Sequence, residues 1–162
     1  MLELTVLQSG ETKPMMRSLL VVALALGASY CAAAETYESC PMPANIKIAR
    51  GVYTATTNDN EGEWIGTSRG PGDGNIKEFT SAMFFPPQLD NDGSVRSPLV
   101  RCSYELAQGG HLDLRFDPRP PVPGLRVDVG LWRRKSGPYD LDYYECTERA
   151  AWRCRFEVVR RP

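Results

Sequence analysis

The sequence predicts an all-β domain, a small antiparallel β-sandwich or partly open barrel of about seven short strands held by two disulfides. Three observations lead there. Beyond residue 34 no stretch sustains the 3.6-residue period for three turns, whereas several short runs alternate apolar and polar residues. Glycine and proline, 14 and 13 of the 162 residues, separate those runs without a repeat period. Finally, the same region holds an even set of cysteines, Cys40, Cys102, Cys146 and Cys154.

The start of the chain reads as an address. Arg17 precedes the apolar run Leu19–Ala28, and Ala32, Ala33 and Ala34 follow. That order describes a secretory signal peptide with cleavage after Ala34. The run is shorter than the roughly 20 residues of a membrane span. Residues 15–34 are therefore expected to be the signal peptide, and residues 1–14 an over-long start or an extension. Residues 35–162 form a single disulfide-bonded domain in the periplasm or outside the cell. Cys31 raises lipidation, but Tyr30 directly before it is bulky where a lipidation site wants a small residue, so ordinary export is the better reading. An exported chain with four cysteines pairs them.

The net charge of −1 gives no whole-molecule field toward nucleic acid or an anionic membrane. Charge is uneven, however: residues 56–93 are acidic, and residues 115–161 carry most of the arginines.

Taken in order, the elements are these. Cys40-Pro41-Met42-Pro43 is extended, because each proline pushes its predecessor out of helical space. Ile46–Thr54 has strand character, with Gly51 as a bulge. Asn58–Gly62 is a turn cluster. Glu63–Ser68, carrying Trp64, pairs back onto Val52 and Tyr53. Residues 69–75 form a flexible loop. Lys77–Phe85 places Phe79, Ser81, Met83 and Phe85 on one face of a central strand, which Pro86 and Pro87 stop. Asp90–Gly93 is a turn.

Leu99–Leu106 and His111–Asp117 make a hairpin with its tip at Ala107–Gly110. Val100, Cys102, Tyr104 and Leu106 share a face with Leu112, Leu114 and Phe116. Asp117–Gly124 is a stiff proline-rich connector, Leu125–Leu131 a half-buried strand, and Arg133–Asp140 an exposed loop. The last stretch, Tyr143 to Val159, reads as a hairpin with Cys146 opposite Cys154. Tyr144 then faces Phe156 on the side of Trp152 and Val158, while Glu145 meets Arg155 and Thr147 meets Arg153. This register selects a Cys146–Cys154 bridge and leaves Cys40–Cys102.

Catalytic chemistry finds little support. His111 is the only histidine. A Ser103–His111–Asp113 set can be drawn, but a flat hairpin offers no oxyanion donors, and cross-strand polar pairing explains these residues better. The cysteines lack C-x-x-C spacing, so neither a redox pair nor a zinc knuckle is indicated. Asp59, Glu61, Glu63 and Asp73 are loop carboxylates of the kind a glycosidase could use. Asp90–Gly93 opens like a calcium loop, yet Ser94-Val95-Arg96 supplies no later carboxylate. Gly70–Asn75 lacks the lysine and helix start of a phosphate loop. No metal and no cofactor is expected. The candidate binding residues are the basic Arg133, Arg134 and Lys135, with Arg153 and Arg155 on the last hairpin. Trp64 and Trp132 flank loops and are candidate anchors, although tryptophan in a small β domain more often fills the core.

Several of these features together resemble an uncharacterised family of small secreted bacterial proteins with four cysteines, a domain of unknown function. They are the signal peptide, Cys40-Pro41, Gly51-Val52-Tyr53, Trp64, Phe79–Phe85, Cys102-Ser103-Tyr104 and the Cys146–Phe156 segment. The resemblance implies export and a β fold, and brings no catalytic residues with it. The function expected is a non-catalytic binding module, inhibitor-like, immunity-like or directed at the cell surface. Its partner would be a protein or a cell-envelope component, not nucleic acid. The alternative is a small periplasmic hydrolase using the loop carboxylates.

Overall fold

A computed structural model describes residues 35–69, 74–89, 95–138 and 141–160. The expected signal segment, Cys31, Asp73 and the Asp90–Gly93 turn lie outside them. Among the described residues there are thirteen strands, more than the seven expected, because several are only two to four residues long. In chain order they are β1 (Glu35–Ser39), β2 (Lys47–Ala49), β3 (Val52–Thr56), β4 (Gly62–Arg69), β5 (Ile76–Phe85), β6 (Gln88–Leu89) and β7 (Val95–Arg96). They continue with β8 (Leu99–Leu106), β9 (His111–Pro118), β10 (Gly124–Val127), β11 (Arg133–Ser136), β12 (Asp142–Cys146) and β13 (Arg155–Val159).

All pairings are antiparallel. Eight strands form one sheet in the order β11-β12-β5-β8-β9-β4-β3-β2, and three form a second in the order β1-β13-β10. The small β6-β7 ribbon stands apart. The two main sheets make a sandwich, and aromatic side chains join them. Phe156 of β13 lies 6.1 Å from Trp64 of β4 and 5.3 Å from Phe116 of β9.

The β8–β9 hairpin forms as its alternation predicts. Val100, Cys102, Tyr104, Leu106, Leu112, Leu114 and Phe116 are all buried, and Ser103 stands opposite Asp113. At its tip Gly109 and Gly110 take φ of 85° and 95°, which glycine adopts without strain. The β3–β4 pairing is also as expected, with Val52 opposite Thr67 and Tyr53 opposite Gly66.

Elsewhere the local chemistry departs from the sequence reading. Gly51 is not a bulge: Arg50 and Gly51 have φ of 52° and 78° and form a two-residue turn between β2 and β3. The irregularity is in β5, where the register shifts between Ile76 and Glu78 and again, as a bulge, between Phe79 and Ser81. Phe79, Ala82 and Phe84 therefore face the core, in place of an unbroken Phe79, Ser81, Met83, Phe85 face. The Leu125–Leu131 strand stops at Val127. Asp128 Oδ1 accepts from Gly130 N at 2.8 Å, its carbonyl takes Leu131 N and Trp132 N, and Val129 is left 75% exposed. Arg133–Ser136, expected as loop, is the exposed edge strand β11, with Lys135 Nζ 3.7 Å from Glu145 of β12.

The largest correction concerns the end of the chain. β12 and β13 do not pair with each other. β12 lies between β11 and β5 in the large sheet, and β13 lies between β1 and β10 in the small one. Glu145 accordingly faces Arg133 rather than Arg155, and Phe156 faces Glu38 and Val127 rather than Tyr144.

Both expected disulfides form, Cys40–Cys102 and Cys146–Cys154, and both cross from one sheet to the other. On the large sheet Ala82 has Cys146 beside it on β12 and Cys102 beside it on β8, so the three share one transverse row. On the small side Cys40 and Cys154 each lie one residue beyond the Ser39–Arg155 pair. The two bridges thus run side by side through a fully buried core.

Candidate partner-binding loop

The chain must pass from β12 in one sheet to β13 in the other within Thr147–Arg153. The Cys146–Cys154 bridge fixes both ends of that crossing, with Cα atoms 5.7 Å apart. Inside it, Arg153 N donates to the Ala150 carbonyl at 2.9 Å and Cys154 N to the Ala151 carbonyl at 3.1 Å, closing a 3₁₀ turn over Ala151–Arg153. Side chains of a 3₁₀ turn point about 120° apart. Ala151 is the one buried in the core, so Trp152 is carried outward and stands 56% exposed. The Arg153 guanidinium lies 5.3 Å from the Trp152 ring centre and 3.5 Å from Glu148, with Arg149 exposed beside them.

Tryptophan and arginine are the residue types that dominate binding energy at interfaces. A loop whose ends are pinned and whose centre is plugged by Ala151 loses little freedom on binding. The sequence reading had Trp152 among the buried aromatics. It missed a usable signal: Thr147–Arg153 (TERAAWR) contains no Gly, Asn, Asp or Pro on which a hairpin turn could be built.

The other tryptophans are inside. Trp64 is fully buried, packs 5.3 Å from Phe116, and donates its Nε1–H to Glu38 Oε1 at 3.4 Å. Trp132 is 1% exposed and donates to the Arg155 carbonyl at 2.8 Å. Arg133, Arg134 and Lys135 are at the surface, where Arg134 pairs with Asp142 and Lys135 with Glu145.

The acidic residues are held as structural acceptors. Asp59 Oδ1 accepts from Thr57 Oγ1 and Glu61 N, both at 2.8 Å, and Oδ2 from Arg160 at 2.9 Å. Burial alone would raise its pKa, but these bonds and the Arg160 charge hold it below the ordinary 3.8. Glu38 is 3% exposed, and burial raises its pKa against the pull of N–H donors from Asn58 (2.6 Å), Ser39 (3.0 Å) and Trp64. Glu61 borders a cleft of about 670 Å³ walled by Pro87, Pro98, Pro120, Pro121 and Arg160. Glu63 is exposed opposite Asp117. Ser103 Oγ donates to Asp113 Oδ1 at 2.7 Å, while His111 stands two pairs further along, opposite Glu105. The hydroxyl is therefore committed to the carboxylate with no imidazole between them.

Among the described residues no helix is long and apolar enough to cross a membrane. Searches of curated proteins and of solved structures found no match. A family comparison did: residues 34–157, with all four bridged cysteines among them, match the description "Protein of unknown function (DUF3757)", and the chain belongs to that family.

Proposed function

We propose that this domain is an exported, non-catalytic binding module that docks a protein partner through the Cys146–Cys154 loop. The observation that carries the reading is Trp152, 56% exposed on a loop closed by a disulfide and backed by the Arg153 guanidinium. The two inter-sheet bridges are compatible with an oxidising compartment. In this reading the sandwich is the scaffold, and an inhibitor-like or immunity-like role is the class it fits.

The hydrolase alternative has weaker support. A glycosidase needs one carboxyl kept protonated as the acid. Asp59 is held the other way, and Glu38, whose pKa is raised, has N–H donors on both of its oxygens.

The test is affinity capture with the oxidised protein, native and Trp152→Ala in parallel. The expected result is one saturable protein partner whose affinity drops roughly 30-fold in the variant, the scale of an interfacial hot spot. A partner held equally by native, Trp152→Ala and Arg149→Ala protein would remove the loop from the reading. Turnover of an envelope polysaccharide that Asp59→Asn or Glu61→Gln abolishes would replace it with the hydrolase.

A further inference from the structure

The outer face of the large sheet carries a second feature, away from the loop. Across β8 and β9, Arg101 stands directly opposite Arg115. Like charges in that position are destabilising, at a Cβ separation of roughly 5 Å. The neighbours in the same transverse row are apolar, Met83 beyond Arg101 and Ile65 beyond Arg115. Each arginine has an acidic neighbour, but loosely: Arg101 is 3.9 Å from Asp113, and Arg115 is 3.4 Å from Asp117 on its own strand. Asp113 also takes the Ser103 hydroxyl at 2.7 Å. Among the described residues, neither guanidinium is engaged by the parallel, two-bond carboxylate contact that satisfies an arginine fork.

Arg101 is also held in place, its guanidinium 5.9 Å from the Phe85 ring centre, and Phe85 is stacked on Tyr143 at 5.7 Å. Beside the pair lies a hollow of about 420 Å³, bordered by Val52, Ile65, Thr67, Asp113 and both arginines. Gly66 of the neighbouring strand also borders it.

We propose that Arg101 and Arg115 together bind a tetrahedral oxyanion, a phosphate group, in this hollow. Two guanidinium forks converging from adjacent strands can each take a different pair of its oxygens, which a planar carboxylate could not offer both. The bound anion would offset the repulsion that the bare pair carries. Thr67 supplies a hydroxyl at the rim, and Val52 and Ile65 give the body of a phosphate ester an aliphatic surface to rest on. The carboxylate of Asp113 limits the charge the site tolerates and favours a monoanionic phosphate over a dianion.

The experiment uses the full oxidised protein at low ionic strength, followed by backbone amide NMR. Inorganic phosphate, glycerol phosphate and vesicles of phosphatidylglycerol in phosphatidylcholine are added in turn, with sodium chloride at matched ionic strength as control. The expected result is a saturable shift at residues 66, 67, 101 and 115 with at least one phosphate probe. Arg101→Gln and Arg115→Gln should each abolish it, and Arg101→Lys, which keeps charge but loses the fork, should weaken it roughly ten-fold. Inorganic phosphate binding alone assigns the free anion, and a response to vesicles assigns a lipid headgroup. Without ligand, Arg115→Gln should melt no lower than the native protein. An equal response to chloride, no saturable response to any probe, or shifts that persist in both glutamine variants would overturn the proposal.

Discussion

Arg160 Nη2 donates to Asp59 Oδ2 at 2.9 Å, joining residues 101 apart in sequence. The contact fastens the outgoing end of β13 to the turn between β3 and β4. It is three-quarters shielded, with 27% and 15% of the two side chains exposed, so salt screens it less than a surface pair. Arg160→Ala is expected to cost about 1.5–3 kcal/mol, the range for a hydrogen bond to a charged group. Because Asp59 is held below its ordinary 3.8, its contribution is present above that pH and is lost as pH falls through the lower folded value. Urea denaturation should therefore separate native from Asp59→Asn protein at neutral pH and bring the two together in acid. A gap that widened on acidification would contradict this.

Glu38 is predicted to slope the other way. Its pKa is raised above 4.5 by burial, so the folded state holds the proton more tightly than the unfolded chain. Its contribution is full below 4.5 and declines as pH rises through the folded value. Measured against Glu38→Gln, which does not titrate, the native protein should lose relative stability across that window and then level off. A rising difference there would show that the three N–H donors outweigh burial.

The two disulfides should not be equal. They span 62 and 8 residues of sequence. Chain entropy gives about 4 kcal/mol for the longer loop and about 2.5 kcal/mol for the shorter. Chemical denaturation of the paired variants Cys40→Ala with Cys102→Ala, and Cys146→Ala with Cys154→Ala, checks the order. Equal losses would mean that packing around Ala82, rather than loop length, sets both.

Among the tryptophans the prediction is a split. Trp152→Ala should change stability by no more than about 0.5 kcal/mol, as surface substitutions do. Trp64→Ala, which empties a site between the sheets and orphans Glu38 Oε1 of one donor, should cost about 3–5 kcal/mol. Thermal melts of the two variants decide it.

Much of this was legible in the sequence where a rule is local. The β8–β9 hairpin declares itself by strict alternation from Leu99 to Phe116, and both cysteine pairings follow from the register assumed for the last stretch. That register was nonetheless wrong. Opposing Cys146 and Cys154 is a condition that a hairpin meets, but so does a crossover between sheets, and the bridge alone does not tell them apart. The choice depended on what β12 and β13 pair with, namely β5, β11, β1 and β10, all distant in sequence. The same blindness moved the candidate binding residue. Trp64 and Trp132 adjoin loops in the sequence but lie under the second sheet in space, whereas Trp152 adjoins a cysteine and points away from the core. The β5 bulge escaped for another reason: Lys77–Phe85 is apolar on both faces near its end, so its alternation could not reveal a one-residue slip.

The side-by-side bridges also set the order in which the molecule comes apart. β1 and β13 are anchored covalently at Cys40 and Cys154. Their other end, at Glu35 and Val159, is five residues away, roughly 17 Å at the rise of an antiparallel strand. The small sheet is therefore a flap with a covalent hinge at one end and, at the other, a latch in which Arg160 meets Asp59. Amide exchange should be slowest at the hinge and quickest toward the latch, beside the proline-walled cleft. Full unfolding of the oxidised chain would still leave the hinge intact, so that the two sheets never lose one another.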